Sequence, residues 1–201
     1  MGAAKQIRTL YWVSGLSASE IGKRLQLTQW QVFKRMKKYR IPRRSQAKTH
    51  KIQFLRSPLS YSKKKLLTKE EKLLHLAGLM LYWAEGSKRN KYCVDFANSD
   101  ERMLTLFLEM LRKIYGVKEK KLRILIYCYA NQKPPQLVKY WSNLLKISKS
   151  QFTKPYVRQD FNVNNPRRMT NGLVHIRYND MRLLLEIKRD IDIIYSSFKT
   201  S

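Results

Sequence analysis

From Leu73 onward the apolar residues recur with two alternating periods. Spacings of three and four predict helices over 72–85, 100–115, 134–146 and 180–195. Alternation at every second residue predicts strands near 91–97, 122–130, 151–158 and 171–178. Interspersed elements of this kind are those of an α+β domain with a mixed or antiparallel sheet. The helix starts carry their own signals: Asn98, Ser99 and Asp100 precede one, Pro134 and Pro135 open another, and Asn179 and Asp180 precede the last.

Nearer the N-terminus, in SASEIGKRLQLTQWQVFKRMKKYRI, Ser17 with Glu20 and Thr28 with Gln31 have the spacing of capping boxes. They mark two helix starts separated by a short turn at Gln26 and Leu27. An earlier helix over Lys5–Ser14 is expected to lay Ile7, Leu10 and Tyr11 against Ile21, Leu25, Val32 and Met36, closing a three-helix core. The pattern resembles the helix-turn-helix of resolvase-type and sigma-like DNA-binding domains, with the helix beginning at Thr28 as the reader. On that helix Gln29, Trp30, Phe33, Lys34 and Lys37 lie on or near the open side, suited to base edges and phosphates, although Trp30 and Phe33 fit a core role equally well. Arg43 and Arg44 continue the basic run, as an arm entering a minor groove does.

Charge divides the chain. The 201 residues carry 42 Lys and Arg against 14 Asp and Glu, a formal charge of +28, which makes a polyanion the first expected partner. Between Ile21 and Lys69 stand sixteen Lys or Arg and no acid. The expected organisation is a DNA-binding domain over 1–45, a basic linker over 46–69 rich in serine and broken by proline, and the α+β domain over 70–201. The apolar run Leu73–Ala84 is too short to span a bilayer, and no membrane partner is expected. MGAAKQIRTLYWVSG lacks a signal-type apolar core, and Gln6 stands where a myristoylation motif requires Ser or Thr. Cys93 and Cys128 are expected to be reduced, packed thiols of a cytoplasmic protein, nucleoid-associated in a bacterium, and with His50, His75 and His175 they assemble no zinc set.

One stretch, LAGLMLYWAEGSK over 76–88, poses a physical question. A nearly all-apolar helix ends on Glu85, at the pole where a carboxylate is disfavoured. Gly86 reads as the C-terminal cap. Two answers stay open: Glu85 holds a divalent cation, or it pairs with Lys88 or Arg89. Leu74, Gly78, Leu81 and Tyr82 share a face of this helix, with small neighbours at Ala77 and Ala84 that suit close helix approach.

LAGLMLYWAEG resembles the signature helix of the LAGLIDADG homing endonucleases, with Glu85 at the position of the metal-binding acid. The segments VDFANSD, YWSNLLKIS, SQFTKPYV and GLVHIRYND are similar to single-motif bacterial members, and the likeness covers roughly residues 70–195. Trp83 departs from members that carry an additional acid there. The resemblance implies a homodimer in which two signature helices pack side by side through Leu74, Gly78, Leu81 and Tyr82. Paired Glu85 carboxylates would hold Mg2+ or Mn2+ that activates water, and the sheets would lie on a pseudo-palindromic double-stranded DNA site. No small-molecule cofactor is implied. On the strands Arg123, Tyr127, Lys154, Arg158, His175 and Arg177 are the expected DNA contacts, with Lys154 and Arg177 nearest the scissile phosphate. The expected activity is metal-dependent, sequence-specific DNA cleavage. The alternative is a transcriptional regulator that binds DNA on the same scaffold without cutting it.

Overall fold

Both anticipated capping boxes close. The Ser17 and Thr28 hydroxyls accept from the backbone N–H of Glu20 and Gln31, whose side chains accept in return from the N–H of Ser17 and Thr28. In the computed structural model, which describes residues 2–159 and 169–198, they start α2 (Ala18–Leu25) and α3 (Gln29–Lys38). Between them Gln26 adopts a left-handed conformation, φ 53°, that ends α2. The first helix runs over α1 (Ala3–Arg8) and then widens into a π-turn over Thr9–Val13, where the Ser14 N–H reaches back to the Thr9 carbonyl at 2.9 Å. Ile7, Leu10, Tyr11, Ala18, Ile21, Val32, Met36 and Ile41 form the core of this N-terminal unit, Met1–Pro58.

Residues 46–69, expected as one linker, are instead structured. Ser45 caps α4 (Gln46–Arg56), which belongs to the N-terminal unit. The second unit, Leu59–Ser201, begins with an extended strap. Along it Ser62 and Lys64 donate backbone hydrogen bonds to the carbonyls of Tyr115 and Ile114, and the Ser60 hydroxyl donates to the buried Asp180 carboxylate at 2.6 Å. Lys63 is bound by Asp190 at 2.5 Å and Glu186 at 3.1 Å. No sustained period announced these elements, because α4 fully buries no residue and the strap, held by polar contacts, packs only Tyr61 and Leu67 on the core.

The second unit is α+β. Its elements are α5 (Lys69–Glu85), β1 (Val94–Asn98), α6 (Glu101–Lys113), β2 (Leu122–Tyr129), α7 (Pro134–Leu145), β3 (Tyr156–Arg158), β4 (Leu173–Tyr178) and α8 (Met181–Ser197). The strand order is β1-β4-β2-β3: the β1–β4 and β2–β4 pairs are antiparallel and β2–β3 is parallel, so the sheet is mixed. One face carries Val94, Phe96, Ile124, Ile126, Cys128, Val174, Ile176 and Tyr178, all buried in a core with Leu104, Phe107, Leu111, Trp141 and Leu183 of the helices.

The strand expected over 151–158 is shorter than its pattern suggested. Phe152 bridges to Ile124 and Tyr156 pairs with Tyr127, so four steps along this segment match three along β2. The extra residue, beside Pro155 with its missing N–H, breaks the alternation. Lys154 is therefore exposed on a loop outside the ladder, and does not share a strand face with Tyr156 and Arg158.

Candidate functional site

Alternation leaves the second sheet face to Asp95 and Ala97 of β1, Leu173, His175 and Arg177 of β4, Arg123, Leu125 and Tyr127 of β2, and Tyr156 and Arg158 of β3. The helices pack on the opposite face, and these side chains remain half-buried or exposed, apart from Asp95. The face is basic and aromatic. In register, Arg123 stands directly across from Arg177, and Arg177 across from Asp95.

Asp95 anchors this face. It is 6% exposed and accepts from His175 Nδ1 at 2.8 Å and Arg177 Nε at 3.0 Å. Burial alone would raise its carboxyl. The hydrogen bond from His175 and the charge of Arg177 outweigh that and hold it below the ordinary carboxylate range. The triad fixes His175 and Arg177 in place. A sequence signal existed, since an acid on the polar face of a strand whose other polar positions are basic is a natural cross-strand partner.

At the end of α5 the helix pole is satisfied without its acid. Lys88 donates through Nζ to the Trp83 carbonyl, and so answers the helix dipole. Glu85 is exposed and has no hydrogen bond or ion pair among the described residues, so the expected alternative of a pair with Lys88 or Arg89 is not what the chain forms. Gly86 is not a left-handed cap: its φ is −66°. Its need is spatial, because a Cβ there would collide with the Tyr82 carbonyl and ring. Past it, Gly86 bridges to Phe96 and the Ser87 N–H donates to the Asp95 carbonyl at 2.9 Å, which stitches the Glu85 end of the helix to β1.

The face of α5 expected to meet a second copy is turned the other way. Gly78 lies against α6, where a Cβ would stand 2.5 Å from Met110 Sδ, and Tyr82 is 3% exposed and stacks on Phe107 with ring centroids 5.6 Å apart. Leu74 and Leu81 pack on the same interior cluster. The open stripe is Leu73, Leu76, Trp83 and Ala84, flanked by half-buried Ala77 and Met80, at the same helical spacing but a different phase. Leu73 is 69% exposed, and Trp83 meets Tyr195 of α8 edge-on.

In the N-terminal unit α3 buries Val32 and Met36 and presents Gln29, Trp30, Lys34 and Lys37 to solvent. Trp30 is 67% exposed with Lys34 Nζ 5.1 Å above its ring, which places it on the open side and not in the core, the two placements its sequence allowed. Phe33 is half-buried beneath the Arg43 guanidinium, 4.2 Å away. Arg44 corrects the sequence reading, because it is 7% exposed. Its guanidinium lies 4.1 Å over the Tyr11 ring and Nη2 donates to the Leu16 carbonyl at 2.5 Å, while its N–H donates to the Tyr11 hydroxyl at 3.1 Å. It fastens the turn after the π-segment and is closed to a ligand.

Cys93 and Cys128 are free thiols, both pushed up by burial. Among the described residues no three His, Cys, Asp or Glu side chains gather into a metal-binding group. Glu85, a hard oxygen donor exposed and unpaired, fits as one ligand of a hydrated divalent cation completed from outside the chain. No helix of the described residues is long and apolar enough to cross a membrane. Comparisons with protein-family models, curated proteins and solved structures return no match to this chain.

Proposed function

We propose that the chain is a DNA-binding protein of the LAGLIDADG-like kind, acting as a homodimeric, metal-dependent endonuclease on double-stranded DNA. The observation that carries this reading is the free Glu85 carboxylate, at a helix end already neutralised by Lys88 and stitched to the edge of a basic, open sheet. Glu85 would be this chain's ligand to Mg2+ or Mn2+, a cation that would supply Lewis-acid stabilisation to a phosphodiester and acidify bound water. The residues of the chain do the rest. Arg177, held by Asp95, and Arg123 across from it attract the backbone, and His175 is fixed in orientation by the same carboxylate. The N-terminal unit acts as a helix-turn-helix, with α3 in the major groove and Lys34 and Lys37 against phosphates. The test is incubation of plasmid with the full chain and Mg2+ or Mn2+. Discrete double-strand cuts support the reading, whereas a protected footprint on uncut DNA identifies the regulator. That second reading is favoured by one feature, the pairing of the Asp95 carboxylate with His175 and Arg177, which leaves Glu85 as the unpaired acid near the sheet among the described residues.

The dimer partner is a second copy, seated on the open stripe of α5. Leu73, Leu76 and Trp83 expose apolar surface along one line, and Ala77 and Ala84 permit close approach. Leu76→Asp is expected to yield a monomer by sedimentation, with cleavage lost and the thermal midpoint within a few degrees of the parent, since Leu76 is 44% exposed. A dimer that persists would place the interface elsewhere.

Salt dependence separates the two arginine and lysine roles in the N-terminal unit. Lys34→Ala is expected to flatten the slope of log affinity against log salt by about one unit. Arg44→Ala is expected instead to lower the melting point of the N-terminal unit, because it removes the clamp on Tyr11 and Leu16.

A further inference from the structure

The open sheet face carries more ring surface than backbone attraction requires. Tyr156 of β3, Tyr127 of β2 and His175 of β4 form a continuous row across three adjacent strands, with ring centroids 5.1 Å and 4.8 Å apart. Tyr156 is 59% exposed, and Leu125 and Leu173 are half-buried beside the row. Arg123 and Arg177 stand opposed in register; Asp95 engages Arg177, whereas Arg123 donates only to the neutral carbonyls of Lys120 and Leu122 and keeps an unbalanced charge beside the row. Rings in a row with arginines along their flank match the chemistry of an unpaired strand: each base offers a π-face to stack and each phosphate a charge to meet. A closed duplex hides those base faces within its own stack.

We infer that Tyr156 and Tyr127, backed by the His175 ring, stack the bases of unpaired nucleotides, so that the strand lying on this sheet is opened rather than read through a groove. The inference rests on the nucleic-acid reading of the sheet face and specifies the form of its ligand. Asp95 then has a second use, since it holds the His175 ring against Tyr127 through Nδ1.

The test is fluorescence anisotropy of the full chain with labelled oligothymidylate, oligouridylate and a fully paired duplex. Tyr156→Leu is expected to weaken both oligonucleotides by about 5- to 100-fold while leaving the duplex within about twofold, and Tyr156→Phe is expected to restore the affinity. Tyr156 is exposed, so a folding failure is not anticipated, and the circular dichroism of each variant checks it. Oligodeoxyuridylate, which shares its base with oligouridylate and differs only in the sugar, assigns the sugar. The inference is overturned if the parent binds no oligonucleotide, if Tyr156→Leu binds like the parent, if Tyr156→Phe binds as weakly as Tyr156→Leu, or if duplex and oligonucleotide weaken alike. Absence of metal-dependent plasmid cleavage, by contrast, overturns the endonuclease and leaves these affinities unchanged.

Discussion

Glu85→Gln is expected to lower Mg2+-dependent cleavage by at least about 1,000-fold while duplex affinity stays within about threefold. The size follows from what a divalent cation contributes to phosphodiester cleavage, several kcal/mol of stabilisation, at about 1.4 kcal/mol per factor of ten. The selectivity follows from the position. Glu85 is exposed and without a partner among the described residues, so the neutral amide removes a ligand and leaves the fold intact. Parallel cleavage and gel-shift titrations of parent and variant measure both quantities. Equal cleavage by the two proteins would remove Glu85 from the chemistry. A parent that binds but never cuts would move the assignment to the regulator.

The largest stability effect is expected at Asp190 of α8. Its carboxylate, 6% exposed, binds Lys63 Nζ at 2.5 Å and the Tyr115 hydroxyl at 2.5 Å, and lies 3.3 Å from His75 Nε2. The cluster joins the strap, α5, the residues just past α6, and α8. Asp190→Ala strands polar groups in the interior and is expected to cost about 3–5 kcal/mol in urea unfolding. Burial alone would raise this carboxyl, but the hydrogen bonds from His75, Lys63 and Tyr115 hold it at about 2. A depressed folded-state pKa stabilises the protein above the unfolded value, near 3.9, and that contribution fades as pH falls toward about 2. The stability gap between parent and Asp190→Ala should therefore be constant from pH 7 to about 5 and narrow below about 4. A gap that instead opens on acidification would show that the carboxylate is not the stabilising form.

The boundaries of most elements were legible because period and caps agreed. Pro134 at the first turn of α7 and Asp180 before α8 sit where their chemistry demands, and both N-terminal capping boxes formed. A third box of the same spacing, Thr68 with Glu71, starts α5 three residues before the apolar pattern began. The facing of α5 was not legible. The helix is apolar almost all round, so Leu74–Gly78–Leu81–Tyr82 and Leu73–Leu76–Met80–Trp83 satisfy the same spacing, and only the packing of Gly78 on Met110 decides between them. Arg44 was no more distinguishable from Arg43, since burial over Tyr11 depends on a turn that no local pattern announces. At the site, the basic strand positions Arg123, His175 and Arg177 emerged from alternation, whereas Lys154 was misplaced by the one-residue slip near Pro155. What alternation cannot show is pairing between strands distant in sequence, and the Asp95 triad exists only through β1 meeting β4.

That same sheet order governs how the chain must be assembled on the ribosome. The strand lying between β1 and β2 is β4, the last to be made, so both earlier strands leave the exit tunnel without the neighbour that will satisfy their backbones. The 44 positions from Tyr129 to Leu173 take roughly two to ten seconds to translate. Throughout that interval two β-rich segments present bare edges, a hazard for association between nascent chains.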